Sequence, residues 1–165
     1  MVLTRDVILK EIRNKKVKVT PFNKANLGPA SLDLTLDNEI RIFHKNGTIT
    51  VNENTDYKKF TRKVKLPYTL KPKELVLGIT KEKIQLPNNI CGHLQGRSRF
   101  SRLGLMVHMT ASFIQPGIDN KQVLEIMNGG ELPLKLTSGL KICQLLFDRC
   151  EGKATYKGKF KKQEL

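Results

Sequence analysis

Between Ser31 and Asp148 the chain alternates apolar and polar residues over one short run after another, each run ending at proline, glycine, asparagine or serine. Alternation puts every second side chain on one face of an extended backbone, so each run reads as a half-buried strand. The runs are Ser31–Leu36, Glu39–Phe43, Glu74–Thr80, Ile90–Leu94, Leu105–His108, Val123–Asn128, Leu132–Leu136 and Ile142–Asp148. Short strands at such intervals fold into a barrel or sandwich, and the predicted class is mainly β, a distorted jelly-roll-like barrel. One short helix precedes it, with Thr4 as N-cap and Ile8, Leu9 and Ile12 on a single face, followed by a short strand over Lys16–Val19. Asn46-Gly47 predicts a tight hairpin joining Glu39–Phe43 to Thr48–Val51. Residues 52–65 are charged and aperiodic, which predicts a loop. The tail ATYKGKFKKQEL is predicted to be loose unless a ligand or neighbour holds it.

With 165 residues, 39% of them hydrophobic, the chain can build one substantial core, and a single domain over 1–165 is expected. No stretch approaches the roughly 20 apolar residues of a membrane-spanning helix, and the N-terminus lacks the apolar core and cleavage site of a secretory signal. The expectation is a cytoplasmic protein with no membrane role. Cys91, Cys143 and Cys150 are odd in number and form no C-x-x-C pair, so neither a disulfide framework nor a zinc knuckle is suggested. A formal charge of +15 favours polyanionic partners, be they nucleic acid, a membrane surface or a nucleotide triphosphate, or else simply a solvated basic surface. Aromatic content of 6% with no Trp is thin for a protein that stacks single-stranded bases.

Two stretches carry candidate chemistry. In Gln122–Asn128, Val123, Glu125 and Met127 share a face, so a carboxylate stands between two apolar side chains. Such a residue is either a solvated or subunit-contact glutamate, or a proton shuttle whose pKa is raised by a partly apolar setting. In Gly96–Arg102, a glycine releases the chain into a turn rich in arginine and serine, and the planar guanidinium suits phosphate. The same pattern occurs in many ordinary surface turns. The H-x-E and P-C-x-x-C signature of zinc deaminases is absent, and His44, His93 and His108 have no metal-ligand spacing with the cysteines. No zinc is expected.

Taken together, GPASLDLTLDNE (28–39), QGRSRFSRLGLMVH (95–108), TASFIQPG (110–117), VLEIMNGGELPL (123–134), GLKICQLLF (139–147) and YKGKF (156–160) resemble the dCTP deaminase family, which shares its fold with the trimeric dUTP diphosphatases. The resemblance runs along almost the whole chain. It implies a homotrimer of dUTPase-like barrels, with sites between subunits, that deaminates dCTP to dUTP and ammonia without zinc. Magnesium is implied only with the triphosphate. Glu125 falls at the family's catalytic glutamate, with Ser98 and Arg102 beside it: the hydroxyl holds water or phosphate and the guanidinium supports developing charge. Arg97 matches a phosphate-binding position, and the carbonyl of Ala111 matches one that orients the water. Tyr156, Lys159 and Gln163 match a C-terminal segment that folds over the triphosphate, which makes 152–165 an expected lid. In some relatives dTTP inhibits.

The departures from the family are informative. Gln115 stands where an aspartate normally contacts the deoxyribose and, in the diphosphatases, activates the water that attacks phosphorus. A neutral amide can hydrogen-bond a hydroxyl but cannot act as a carboxylate base. Arg99 replaces a usual serine, Asn120 replaces a usual glycine, Phe113 sits at a variable position near the base, and few residues follow Gln163. Two rival readings stay open. One is a dUTP diphosphatase or a bifunctional deaminase-diphosphatase making dUMP. The other is a catalytically weakened relative that senses nucleotides or binds nucleic acid.

Overall fold

The computed structural model describes residues 1–165, the side chain of Lys162 excepted. In chain order the elements are α1 (Arg5–Arg13), β1 (Lys18–Thr20), β2 (Leu32–Phe43), β3 (Thr61–Lys65), β4 (Tyr68–Leu70), β5 (Leu75–Gln85), β6 (Ile90–Gly96), α2 (Ser98–Ser101), β7 (Leu105–Val107), β8 (Phe113–Ile114), β9 (Asp119–Asn128), β10 (Leu134–Leu136) and β11 (Lys141–Arg149). Short 3-10 turns cover Lys24–Asn26, Tyr57–Phe60 and Lys159–Lys162. The main sheet runs β7-β9-β5-β2-β11-β6-β8, with β1 added to β5 and β3 to β2, while β4 and β10 form a separate pair. The result is a curled half-barrel, mainly β with a short N-terminal helix, as the alternation predicts.

Curling comes from two long strands, β2 and β5, that change partners along their length. The first half of β2 pairs with β11, and beyond a register shift between Leu36 and Ile40 its second half lies between β3 and β5. A further shift in β5, between Ile79 and Lys83, carries that strand past β9. Irregularities of this kind bend a strand and tighten its twist, wrapping the sheet around one core. Leu32, Leu34, Leu36 and Ile40 on β2 meet Leu124 and Ile126 on β9 and Ile142, Leu145 and Phe147 on β11, all at most 1% exposed. Full burial of a side chain such as Phe147 stabilises by about 1.5–3 kcal/mol, so these alternating runs both choose the sheet's inner face and hold it shut.

Three local expectations are corrected. Asn46-Gly47 does not close a hairpin: β2 pairs across a long loop with β3, and Thr48–Val51 is not a strand, Val51 being 87% exposed. The reason is Arg41, buried in β2. Its Nε donates to Thr61 Oγ1 at 2.8 Å, and its Nη2 donates to the carbonyls of Thr61 (3.2 Å) and Lys58 (3.3 Å), which fixes 58–61 beside β2. The predicted loop 52–65 therefore ends in the Tyr57–Phe60 turn and in β3. Third, Ser31–Leu36 and Glu39–Phe43 form one strand, with Asp37 and Asn38 at its bend rather than at a break.

Candidate active site

Register brings Glu125 to a cavity of about 450 Å³. On β9 the even-numbered residues Leu124 and Ile126 enter the core and the odd-numbered Val123, Glu125 and Met127 lie half-buried on the other face, as the alternation predicts. Glu125 pairs across the sheet with Leu77 of β5, so an apolar neighbour flanks the carboxylate. β7 pairs Val107 with Ile126 and then ends, because His108 takes the left-handed conformation (φ +51°). A non-glycine residue there is uncommon and strained, and such strain concentrates at functional sites. The turn is pinned by the His108 N–H donating to the Glu125 carbonyl at 2.8 Å. It brings His108 Nδ1 to 2.7 Å from Glu125 Oε2, and neither atom has another partner. With the proton on Nδ1, imidazole donates to carboxylate.

This pair sets the direction in which the Glu125 pKa moves. Burial pushes its carboxyl up, but the hydrogen bond and positive charge of His108, with a backbone hydrogen bond, outweigh burial and hold the group below its ordinary 4.5. The expected rise is therefore corrected: an apolar wall alone would raise the pKa, and an imidazole at contact distance reverses the sign. A depressed carboxylate pKa contributes stability that is present above 4.5 and lost as pH falls through the lower folded value. The thermal midpoint of the native chain minus that of Glu125→Gln is expected to be constant from neutral pH down to about 4.5 and to shrink on further acidification. A difference that instead grew as the pH fell from neutral to about 4.5, and levelled off below it, would mean burial, not His108, governs the group.

The cavity gathers several of the residues singled out from sequence. Ala111, Phe113 and Gln115 line it from the segment after β7, Glu125, Asn120, Gln122 and Val123 from β9, and Tyr156, Phe160 and Gln163 from the tail. Phe113 is held against His93, ring centroids 5.3 Å apart, and offers a half-exposed aromatic face. Four predicted residues are not on this wall: Arg97, Ser98, Arg102 and Lys159. Ser98 and Arg102 are exposed on and just after α2. The Arg97 guanidinium pairs with Asp33 at 2.9 Å, donates to the Lys141 carbonyl at 3.0 Å and lies over the Phe100 ring.

The tail is laid against the body. The N–H groups of Ala154 and Tyr156 donate to the carbonyls of Asn88 and Pro116, and Gly117, at φ +79°, lacks the Cβ that would collide with Thr155. Tyr57 Oη donates to the Glu164 carbonyl at 3.0 Å, and Leu165 is buried beside Leu77 and Ile79. Sequence reading passed over His108, Tyr57 and Gln122. Only for His108 was there a local cue, its place at the end of the LMVH run, and its pairing with Glu125 depends on strand register.

A family profile described as dCTP deaminase-like matches residues 2–150. Two proteins named "dCTP deaminase, dUMP-forming" are similar over most of the chain. The one from Kocuria rhizophila is 36% identical over 151 residues, 89% of this chain and 79% of its own length. That from Nocardioides sp. is 37% identical over 153 residues, 90% and 80% respectively. Among solved structures, the 2'-deoxycytidine 5'-triphosphate deaminase from Agrobacterium tumefaciens shares the fold, with a TM-score of 0.70 at 20% identity. The match covers 88% of this chain and 47% of that one, so this chain spans about half of its length. A match over residues 2–150, reached independently of the cavity at Glu125, leaves one assignment: the chain belongs to the dCTP deaminase-like family.

Proposed function

We propose that the protein is a dCTP deaminase: it adds water to C4 of the cytosine of dCTP and releases ammonia, leaving dUTP. The observation that carries this reading is Glu125, an ionised carboxylate on the wall of a nucleotide-sized cavity, bonded to His108 and below its ordinary pKa. Ionised, it can take a proton from the attacking water, pass it to ring N3, and then move the second water proton to the departing amine, so that dCTP and H₂O become dUTP and NH₃. His108 orients the carboxylate. Ala111, Phe113 and Gln115 line the same space, and in this reading the Ala111 carbonyl positions the water, the Phe113 ring meets the base and the Gln115 amide bonds the sugar hydroxyl. Tyr156, Lys159 and Gln163 of the 152–165 lid serve the triphosphate, with which magnesium travels as part of the substrate. The site forms in a cytoplasmic homotrimer, where Ser98, Arg102 and Arg97 come to the glutamate from a neighbour, and dTTP competes for the same space.

A second reading has its own support, the name dUMP-forming carried by the similar proteins. Gln115 weighs against it, because its neutral amide cannot activate water toward phosphorus. Incubation with dCTP and magnesium, chromatography of the nucleotides and an ammonia assay separate the two: dUTP with ammonia is expected. Formation of dUMP with pyrophosphate would replace that reading with the second. Salt-sensitive DNA binding without turnover would overturn both.

A further inference from the structure

Two amides stand at the start of the inner face of β9, ahead of Leu124 and Ile126. Asn120 and Gln122 are 5% and 6% exposed, on the same side as Leu124 and Ile126. Buried amides are costly unless hydrogen-bonded, and these two are joined in a directed chain. Thr80 Oγ1 accepts from the Gln122 backbone N–H at 2.9 Å, seating Gln122 where β5 shifts register. Gln122 Nε2 donates to Asn120 Oδ1 at 2.6 Å. With its oxygen so engaged, Asn120 must point its NH₂ outward, and Nδ2 donates to the Phe160 carbonyl at 2.7 Å. Three residues further on, Gln163 Nε2 donates to the Lys121 carbonyl at 3.0 Å. The 3-10 turn Lys159–Lys162 is thus tied to β9 at both ends, directly over the cavity.

We propose that Asn120 is a positioning residue that latches the C-terminal tail over the cavity, with Gln122 fixing the direction of its amide. The contact is made to a backbone carbonyl, so it depends on the donor at position 120 and not on the tail's side chains. It rests on the deaminase reading only where nucleotide is concerned: a latch that closes the tail tightens the hold on substrate and leaves the proton steps at Glu125 alone.

The decisive variant is Asn120→Asp. It has the same shape and still accepts from Gln122 but cannot donate to Phe160, and Asn120→Gly, which removes the side chain altogether, stands behind it should the aspartate impair folding. Limited trypsin digestion without nucleotide, read by mass spectrometry, compares cleavage at Lys157, Lys159 and Lys161 with cleavage at Lys45 and Lys59 in the exposed 44–60 loop. Tail cleavage is expected to rise about tenfold, the effect of losing one buried hydrogen bond, with loop cleavage unchanged and the melting temperature lowered by only about the few degrees that the same loss costs. Equal acceleration at both places would mean general destabilisation, and unchanged tail cleavage would mean no latch; either result overturns the proposal. In turnover of dCTP, KM is expected to rise about tenfold with kcat held. A native chain that turns over no nucleotide would remove the deaminase reading, yet the digestion would still decide the latch.

Discussion

Glu125→Gln is expected to lower kcat for ammonia release from dCTP about a thousandfold while KM stays near the native value. Glutamine keeps the volume of the side chain and can still accept a hydrogen bond from His108 Nδ1, so the cavity wall and the seat on β9 persist. What it loses is the ability to hold a proton between the water, N3 and the departing amine. The measurement is a steady-state ammonia assay beside a binding titration with dCTP. A variant within tenfold of native kcat would move the proton steps off Glu125 and leave its bond to His108 as a structural ion pair. Loss of dCTP binding with no further loss of rate would instead make Glu125 a substrate ligand.

The barrel was legible because its inner face is written in unbroken alternation: Leu32, Leu34 and Leu36 on β2, and Leu124 and Ile126 on β9, all enter one core. The errors fall where a long-range contact overrules a local cue. Asn46-Gly47 is a good turn dipeptide, but the polar bonds of buried Arg41 reach residues 58–61 and take the partner position beside β2. β3 is hard to see because Arg62, Lys63 and Lys65 face solvent and only Thr61 and Val64 pack inward, the composition of an edge strand protected from further pairing. At the site, alternation alone put Glu125 on the half-buried face. The direction of its pKa was not legible, because it depends on His108, seventeen residues earlier, arriving through the β7–β9 register and one left-handed turn. The tail's seat on Asn120 and Tyr57 was likewise out of reach, since no periodicity in a basic, polar segment reveals what it lies against.

Arg102→Ala is expected to cost at least about a hundredfold in kcat, the usual effect of removing a charge-stabilising donor from a reacting centre, although in one chain Arg102 is exposed and off the cavity wall. Such a loss fits an exposed Arg102 if each site takes its glutamate from one subunit and its arginine from the next. In a cyclic trimer every such interface is the same, so a subunit defective at Arg102 can still lend Glu125, and one defective at Glu125 can still lend Arg102. Coexpression of Arg102→Ala with Glu125→Gln is then expected to restore about a quarter of native activity, because in random trimers half the glutamates are intact and half of those face an intact arginine. Neither variant alone, nor the two purified separately and mixed without exchange, should approach that level. An inactive coexpressed trimer, or a fully active monomer in sedimentation, would place the whole reaction within one chain. The charge that supports the reaction would then have to come from the residues that already line the cavity, with His108 beside Glu125 the nearest to hand.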